Sequence, residues 1–199
     1  MKIRYNAPAV LTFTFISAAV LILSQTVMRS LTEQWFMVPG RGGFSPGSFR
    51  CWVTLVTHVL GHANWAHMIS NFSFILLIGP ILEEIYGSFS LFLMILITAL
   101  VTGVLNVLFF SSALLGASGI VFMMILLASF TNFNKGEIPL TFILVLILYL
   151  GRELFNSFGI GAESGGNISQ FAHVVGGFIG SLFGFFRVPR ARALEKKQK

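Results

Sequence analysis

Aspartate is absent from the 199 residues, and the seven carboxylates are all glutamate: Glu33, Glu83, Glu84, Glu137, Glu153, Glu163 and Glu195. A Ser-His-Asp triad is therefore excluded, and so is an Asp-based proton relay. Charge of either sign is scarce, at 10% of residues, where an ordinary soluble domain carries roughly a quarter. That composition excludes a soluble globule. Cysteine occurs once, so Cys51 has no internal disulfide partner. The redox compartment stays open, and Cys51 reads as a small apolar residue rather than a catalytic thiol.

What is present is apolar. Hydrophobic residues make up 55% of the chain, with 22 Phe and 20 Gly, and the mean hydropathy is +0.85. This is the composition of a polytopic membrane protein built as one unit. Arg187, Arg190, Arg192, Lys196, Lys197 and Lys199 crowd the C-terminal end and Lys2 and Arg4 open the chain. Such clustering is a topology signal, not a nucleic-acid patch.

A hydrocarbon core of about 30 Å needs roughly twenty apolar helical residues. Six runs qualify: Ala9 to Met28, Trp65 to Leu82, Ser90 to Phe110, Gly119 to Phe133, Ile138 to Phe155 and Ile168 to Phe186. A secretory signal is the rival reading of the first, but the run is long and no small-x-small cleavage site follows. An even number of spans puts both termini on one side. The basic ends and Lys135 make that side the cytoplasm, giving an N-in, C-in topology. Residues 1–8 are then a cytoplasmic N-terminus, 9–187 the six-span unit and 188–199 a basic cytoplasmic tail. The connection over 29–61 is long and carries Trp35, Phe36, Met37, Phe44, Phe49 and Trp52 among Gly and Pro turns, as expected of a segment lying in the interface. The fourth run is short: about fifteen residues reach only some 22 Å. Its outer end must start below the membrane surface, and the approach Leu108 to Leu115 must enter the bilayer as irregular backbone, which only protein or a watery cavity can shield.

The polar residues gather at that depth. Gly116-Ala117-Ser118-Gly119 sets a hydroxyl between glycines at a helix start, where an oxyanion would meet backbone N–H donors and a favourable dipole. Taken alone, the string reads equally as a helix cap with packing glycines. In the sixth run His173 is followed by Gly176, Gly177, Gly180 and Gly184, so one histidine crowns a glycine face that lets a neighbouring backbone approach closely. The second run opens with His62, His67 and Asn71, the last two four apart and on one helix face. Their side-chain N–H groups could complete an oxyanion hole beside Ser118. A metal site at His58, His62 and His67 is the rival, but no H-E-x-x-H and no nearby carboxylate accompanies them. Interhelical hydrogen bonding is the plainer alternative. Phe122, one turn after Ser118, either packs on the His173 ring or belongs to the core.

With these residues the chain resembles the rhomboid intramembrane serine proteases. The motifs are His-x4-His-x3-Asn at His62, His67 and Asn71, G-x-S-G at Gly116 to Gly119, and A-H-x-x-G at Ala172 to Gly176 with Gly180 following. The resemblance implies a six-helix all-α bundle with a long interfacial first loop and a short fourth helix. It implies a Ser-His dyad with Ser118 as nucleophile and His173 as general base and then acid. His67, Asn71 and the Ser118 amide would stabilise the oxyanion, with Gly116, Gly119, Phe122, His62 and Gly176 in support. Glu83 falls where the family commonly has a structural Glu. Two departures stand out: the aromatic after the serine is Phe122 instead of the usual Tyr, and the first-loop Trp-Arg pair of many members falls on Val53-Thr54. The expected activity is cleavage of transmembrane protein substrates within the lipid bilayer, without metal, organic cofactor or nucleic acid, in a bacterial plasma membrane. The competing expectation is a catalytically silent rhomboid-like protein that binds transmembrane helices.

Overall fold

A computed structural model describes residues 5–131 and 167–186, with isolated helical positions at 140, 143, 144 and 147. Side chains are described for 5–129, for 174–183 and for Phe186. The described elements are helical: α1 (Pro8–Thr26), α2 (Leu31–Trp35), α3 (Phe49–Thr57), α4 (Trp65–Tyr86), α5 (Ser88–Phe109), α6 (Ser118–Thr131) and α7 (Asn167–Phe186). A single 3-10 turn, His58–Leu60, follows α3, and one isolated antiparallel bridge joins Val38 to Leu114. Among the described residues α1, α4 and α5 are long and apolar enough to cross a membrane. These are the first three expected spans, with ends shifted by a few residues. The expected fifth span, Ile138 to Phe155, lies outside the described residues apart from its isolated positions.

The start of α1 shows how a buried charge organises the bundle. Pro8 occupies the first helical position, where its missing N–H is no loss. Ala7 offers no side-chain cap. The next two donors go instead to one carboxylate from α4: Ala9 N–H donates to Glu83 Oε1 at 2.9 Å and Val10 N–H to Oε2 at 3.0 Å. Leu11 N–H returns to Ala7 O at 2.9 Å, which completes the accounting for the first turn. Glu83 is 5% exposed, and its charge faces the positive end of the α1 dipole. The last turn of α4 is thereby fastened to the first turn of α1. One turn back along α4, Gly79 gives room for the crossing, since a Cβ there would stand 2.7 Å from Val10 Cγ2.

Two features differ from the sequence reading. The connection over 29–61 is not an extended loop but carries α2, α3 and the 3-10 turn. In α3 the buried Cys51, Thr54 and Leu55 fall at helical spacing, while Phe49 and Trp52 turn outward. This short amphipathic helix packs on α5, whose Gly103 lets the Leu55 carbonyl touch its backbone. The helix α4 begins at Trp65, where the second run was expected to start, so His62, read as opening that span, precedes the helix. The reason is local, because Asn64 adopts extended backbone and its side-chain oxygen accepts the His67 N–H at 2.8 Å, fixing the cap.

The short α6 is the centre of the core. Its 14 residues span only about 21 Å. Ile120, Met123 and Leu127 are fully buried, with Met124 nearly so. Apolar on all sides, it is the pattern of an enclosed helix. Its most extensive partner is α7, where the glycine face does what its spacing implied: Gly176 lies on the Gly119 backbone, Gly180 on that of Met123, and Gly177 against Leu126. Replacing Glu83 by Gln should remove the charge and leave an amide N–H group against α1 donors. We expect a loss of about 1–3 kcal/mol, seen as a lower thermal unfolding midpoint in detergent; an unchanged midpoint would refute the clamp.

Candidate active site

Ser118 is half-buried at the first turn of α6. Val121 N–H donates to Ala117 O at 3.0 Å. That register leaves the amides of Ser118, Gly119 and Ile120 ahead of the first intrahelical bond, at the positive end of the dipole. The chain reaches this point along an irregular approach, several of whose backbone polar groups are met by protein. Phe110 O accepts Arg41 N–H at 2.6 Å, and Asn106 Nδ2 donates to Ser112 O at 3.1 Å. Val38 and Leu114 exchange two bonds of 2.9 Å, and Gly116 N–H donates to His58 O at 2.9 Å.

Gly116 is the residue on which the second helix turn converges. Its φ is +112, a conformation that L side chains rarely adopt. A Cβ there would also lie 2.7 Å from both Cε1 and Nε2 of His67, and 3.8 Å from Asn71 Nδ2. The structure thus brings His67 and Asn71 against the backbone two residues before Ser118. Behind them, Asn71 Nδ2 and His62 Nε2 are 3.2 Å apart, and the His62 ring stands edge-on to His67 with centroids 5.0 Å apart. Burial, with the like charge of His67 second, pushes the His62 imidazole down to about 4. His62 is then neutral at physiological pH: its Nδ1–H faces Leu60 O at 3.4 Å, and Nε2 accepts from Asn71. This orients the Asn71 amide and leaves its second N–H for another acceptor. His62 acts as a support of the expected pair and not as a member of the same helix face.

The remaining residues divide by element. Gly119 meets Gly176 of α7. His173 stands one turn before Gly176 on α7, and its side chain lies outside the described ones. Phe122 is half-buried one turn into α6. The rings of the metal alternative do not converge: His58 faces Thr54 O and Thr102 Oγ1, while His62 faces Leu60 and Asn71. Sequence reasoning missed the part played by His58, which is 1% exposed and whose carbonyl holds Gly116. It also missed the polar column Thr98, Thr102 and Asn106 on α5, all buried. Their spacing of four on an otherwise apolar helix was the available signal.

A model of the rhomboid domain matches residues 50–190, more than half of the chain. The chain belongs to the rhomboid family. It is similar to rhomboid-like protein 11, chloroplastic, of Arabidopsis thaliana, at 35% identity over 95 residues, 46% of this chain and 34% of that protein. It is also similar to the rhomboid protease GlpG of Haemophilus influenzae, at 23% identity over 133 residues, 65% of this chain and 67% of that protein. The chain thus spans about a third of the length of the chloroplast relative. With its apolar helices, this rhomboid-family chain is a membrane-embedded protein.

Gly116→Ala combines a disfavoured φ with a collision against His67. The φ alone is worth about 1–2 kcal/mol, so unfolding should come at clearly lower denaturant. Gly42→Ala, whose Cβ would meet nothing within 4 Å, should leave it unchanged. Equal behaviour of the two variants would contradict the role given to Gly116.

Proposed function

We infer that this rhomboid-family chain is an intramembrane serine endopeptidase that cleaves transmembrane segments of membrane proteins near their outer ends. The observation that carries the reading is the convergence on Gly116: His67 and Asn71 lie against it, and two residues on Ser118 opens a helix whose amides precede the first intrahelical bond. Family membership and the similarity to a rhomboid protease support it further. Both termini would face the cytoplasm, and the bacterial plasma membrane is the proposed compartment, a plastid membrane being the competitor given the chloroplast relative.

In this mechanism Ser118 Oγ attacks the peptide carbonyl carbon while His173 accepts the hydroxyl proton. The carbonyl oxygen becomes an oxyanion, held by the Ser118 amide, His67 and Asn71. The tetrahedral adduct expels the amine, which takes the proton back from His173 and leaves an acyl-enzyme. Water then repeats the sequence, giving its proton to His173 and releasing the carboxylic product. With no Asp in the chain, packing by Phe122 and by the glycine face of α7 orients the imidazole in place of a carboxylate. A substrate helix shields its own peptide bonds, so the cleaved segment should carry small or helix-breaking residues that unwind locally.

The test is cleavage of a transmembrane reporter by purified protein, beside Ser118→Ala and His173→Ala. Each change should lower turnover by at least about 10³-fold, and Asn71→Ala by about 10²-fold. A serine-directed phosphonate should label the wild type and fail with Ser118→Ala. Equal fragments from wild type and variants, or no fragments and no labelling from any, would overturn the reading, and the latter would leave a helix-binding protein that does not cut.

A further inference from the structure

A second feature lies apart from Ser118, between α2 and α3. There a cavity of about 120 Å³ is lined by Glu33 and Gln34 of α2, Arg50, Cys51 and Thr54 of α3, and Met37 from the segment between them. The pocket opens to the surface, and two exposed charges of opposite sign line it from different helices. Among the described residues neither Glu33 nor Arg50 is held in an ion pair. The same helices turn Trp35, Phe49 and Trp52 outward, the last two 75% and 54% exposed. Exposed aromatics of this kind seat a segment at headgroup depth. Opposite charges without partners, at that depth, match a ligand carrying both signs in a short span.

We propose that this cavity is a headgroup site for a phospholipid bearing a primary ammonium and a phosphate, of the phosphatidylethanolamine class. Arg50 pairs with the phosphate through two parallel N–H donors, as planar guanidinium does best. Glu33 accepts N–H bonds from the ammonium, with Gln34 and Thr54 supplying neutral polar contacts. A quaternary ammonium has no N–H to donate and is held by aromatic faces, and none of the lining side chains is aromatic. A purely anionic headgroup would leave Glu33 opposed by like charge. The site excludes phosphatidylcholine and phosphatidylglycerol on these two grounds.

The chain carries its own reporter, since its single cysteine, Cys51, lines the cavity. The 199-residue chain is reconstituted in phosphatidylcholine vesicles, and phosphatidylethanolamine or phosphatidylglycerol replaces a rising share of the lipid. The rate of Cys51 alkylation by N-ethylmaleimide is then measured. Phosphatidylethanolamine should slow it by about fivefold once present at several times its dissociation constant. Glu33→Gln and Arg50→Gln, each referred to its own rate in pure phosphatidylcholine, should abolish the protection. Equal slowing by phosphatidylglycerol, no slowing at all, or protection that persists in both variants would overturn the proposal. Protection by soluble O-phosphoethanolamine at matched headgroup concentration would overturn the lipid assignment in favour of a soluble ligand. The readout does not depend on Ser118 chemistry, so it stands or falls separately from the protease reading.

Discussion

Backbone that leaves the helical path inside a membrane must find every hydrogen-bond partner within the protein, because hydrocarbon offers none. In the approach to α6, residues 110–117, several backbone groups are paired within the protein, through Arg41, Asn106, Val38 and His58. Three of those four partners belong to the connection between α1 and α4. That connection is therefore a wall for the start of α6, and its α3 is anchored on α5 through the close contact at Gly103. The position of Ser118 follows from this wall at one remove, since the Gly116 turn hangs on the His58 carbonyl.

Close packing supplies the rest of the geometry. The enclosed α6 touches α7 backbone to backbone at Gly176 and Gly180, a contact that admits no side chain between the helices. In the proposed mechanism rigidity of this sort matters, because a chain without aspartate would have to aim the His173 imidazole by shape instead of by a carboxylate. The one deeply buried charge among the described contacts, Glu83, is spent on holding α1 to α4, far in sequence from Ser118. Glu83 stands at one end of α4, and His67 and Asn71, the proposed oxyanion partners, stand at the other.

Much of this was visible in the sequence, and the reasons are specific. Long apolar runs mark α1, α4 and α5 because hydrocarbon thickness dictates their length. The short run at Ser118 and the glycines after His173 each announce themselves by spacing alone, and the contacts of Gly176 and Gly180 follow that spacing. The helices of the first connection were hidden, since α3 is only 9 residues long and sits among Gly and Pro turns. His62 was misplaced by three residues because the cap at Asn64 is set by one side-chain bond. Glu83 was legible as a structural position, but its partners on α1 are more than 70 residues distant in sequence. The polar column of α5 went unread because threonine and asparagine weaken a hydropathy run only slightly.

The proposed function requires that α6 begin in water beneath the membrane surface. With Cys51 replaced by Ser, the chain is freed of its native thiol and a single cysteine can be installed at Ser118 or at the fully buried Leu127. Reaction of each with a charged, membrane-impermeant methanethiosulfonate, in vesicles oriented with the outer face exposed, measures water at that depth. Ser118→Cys should be modified and Leu127→Cys should not. Modification of Ser118→Cys by a lipid-soluble maleimide but not by the charged reagent would contradict it.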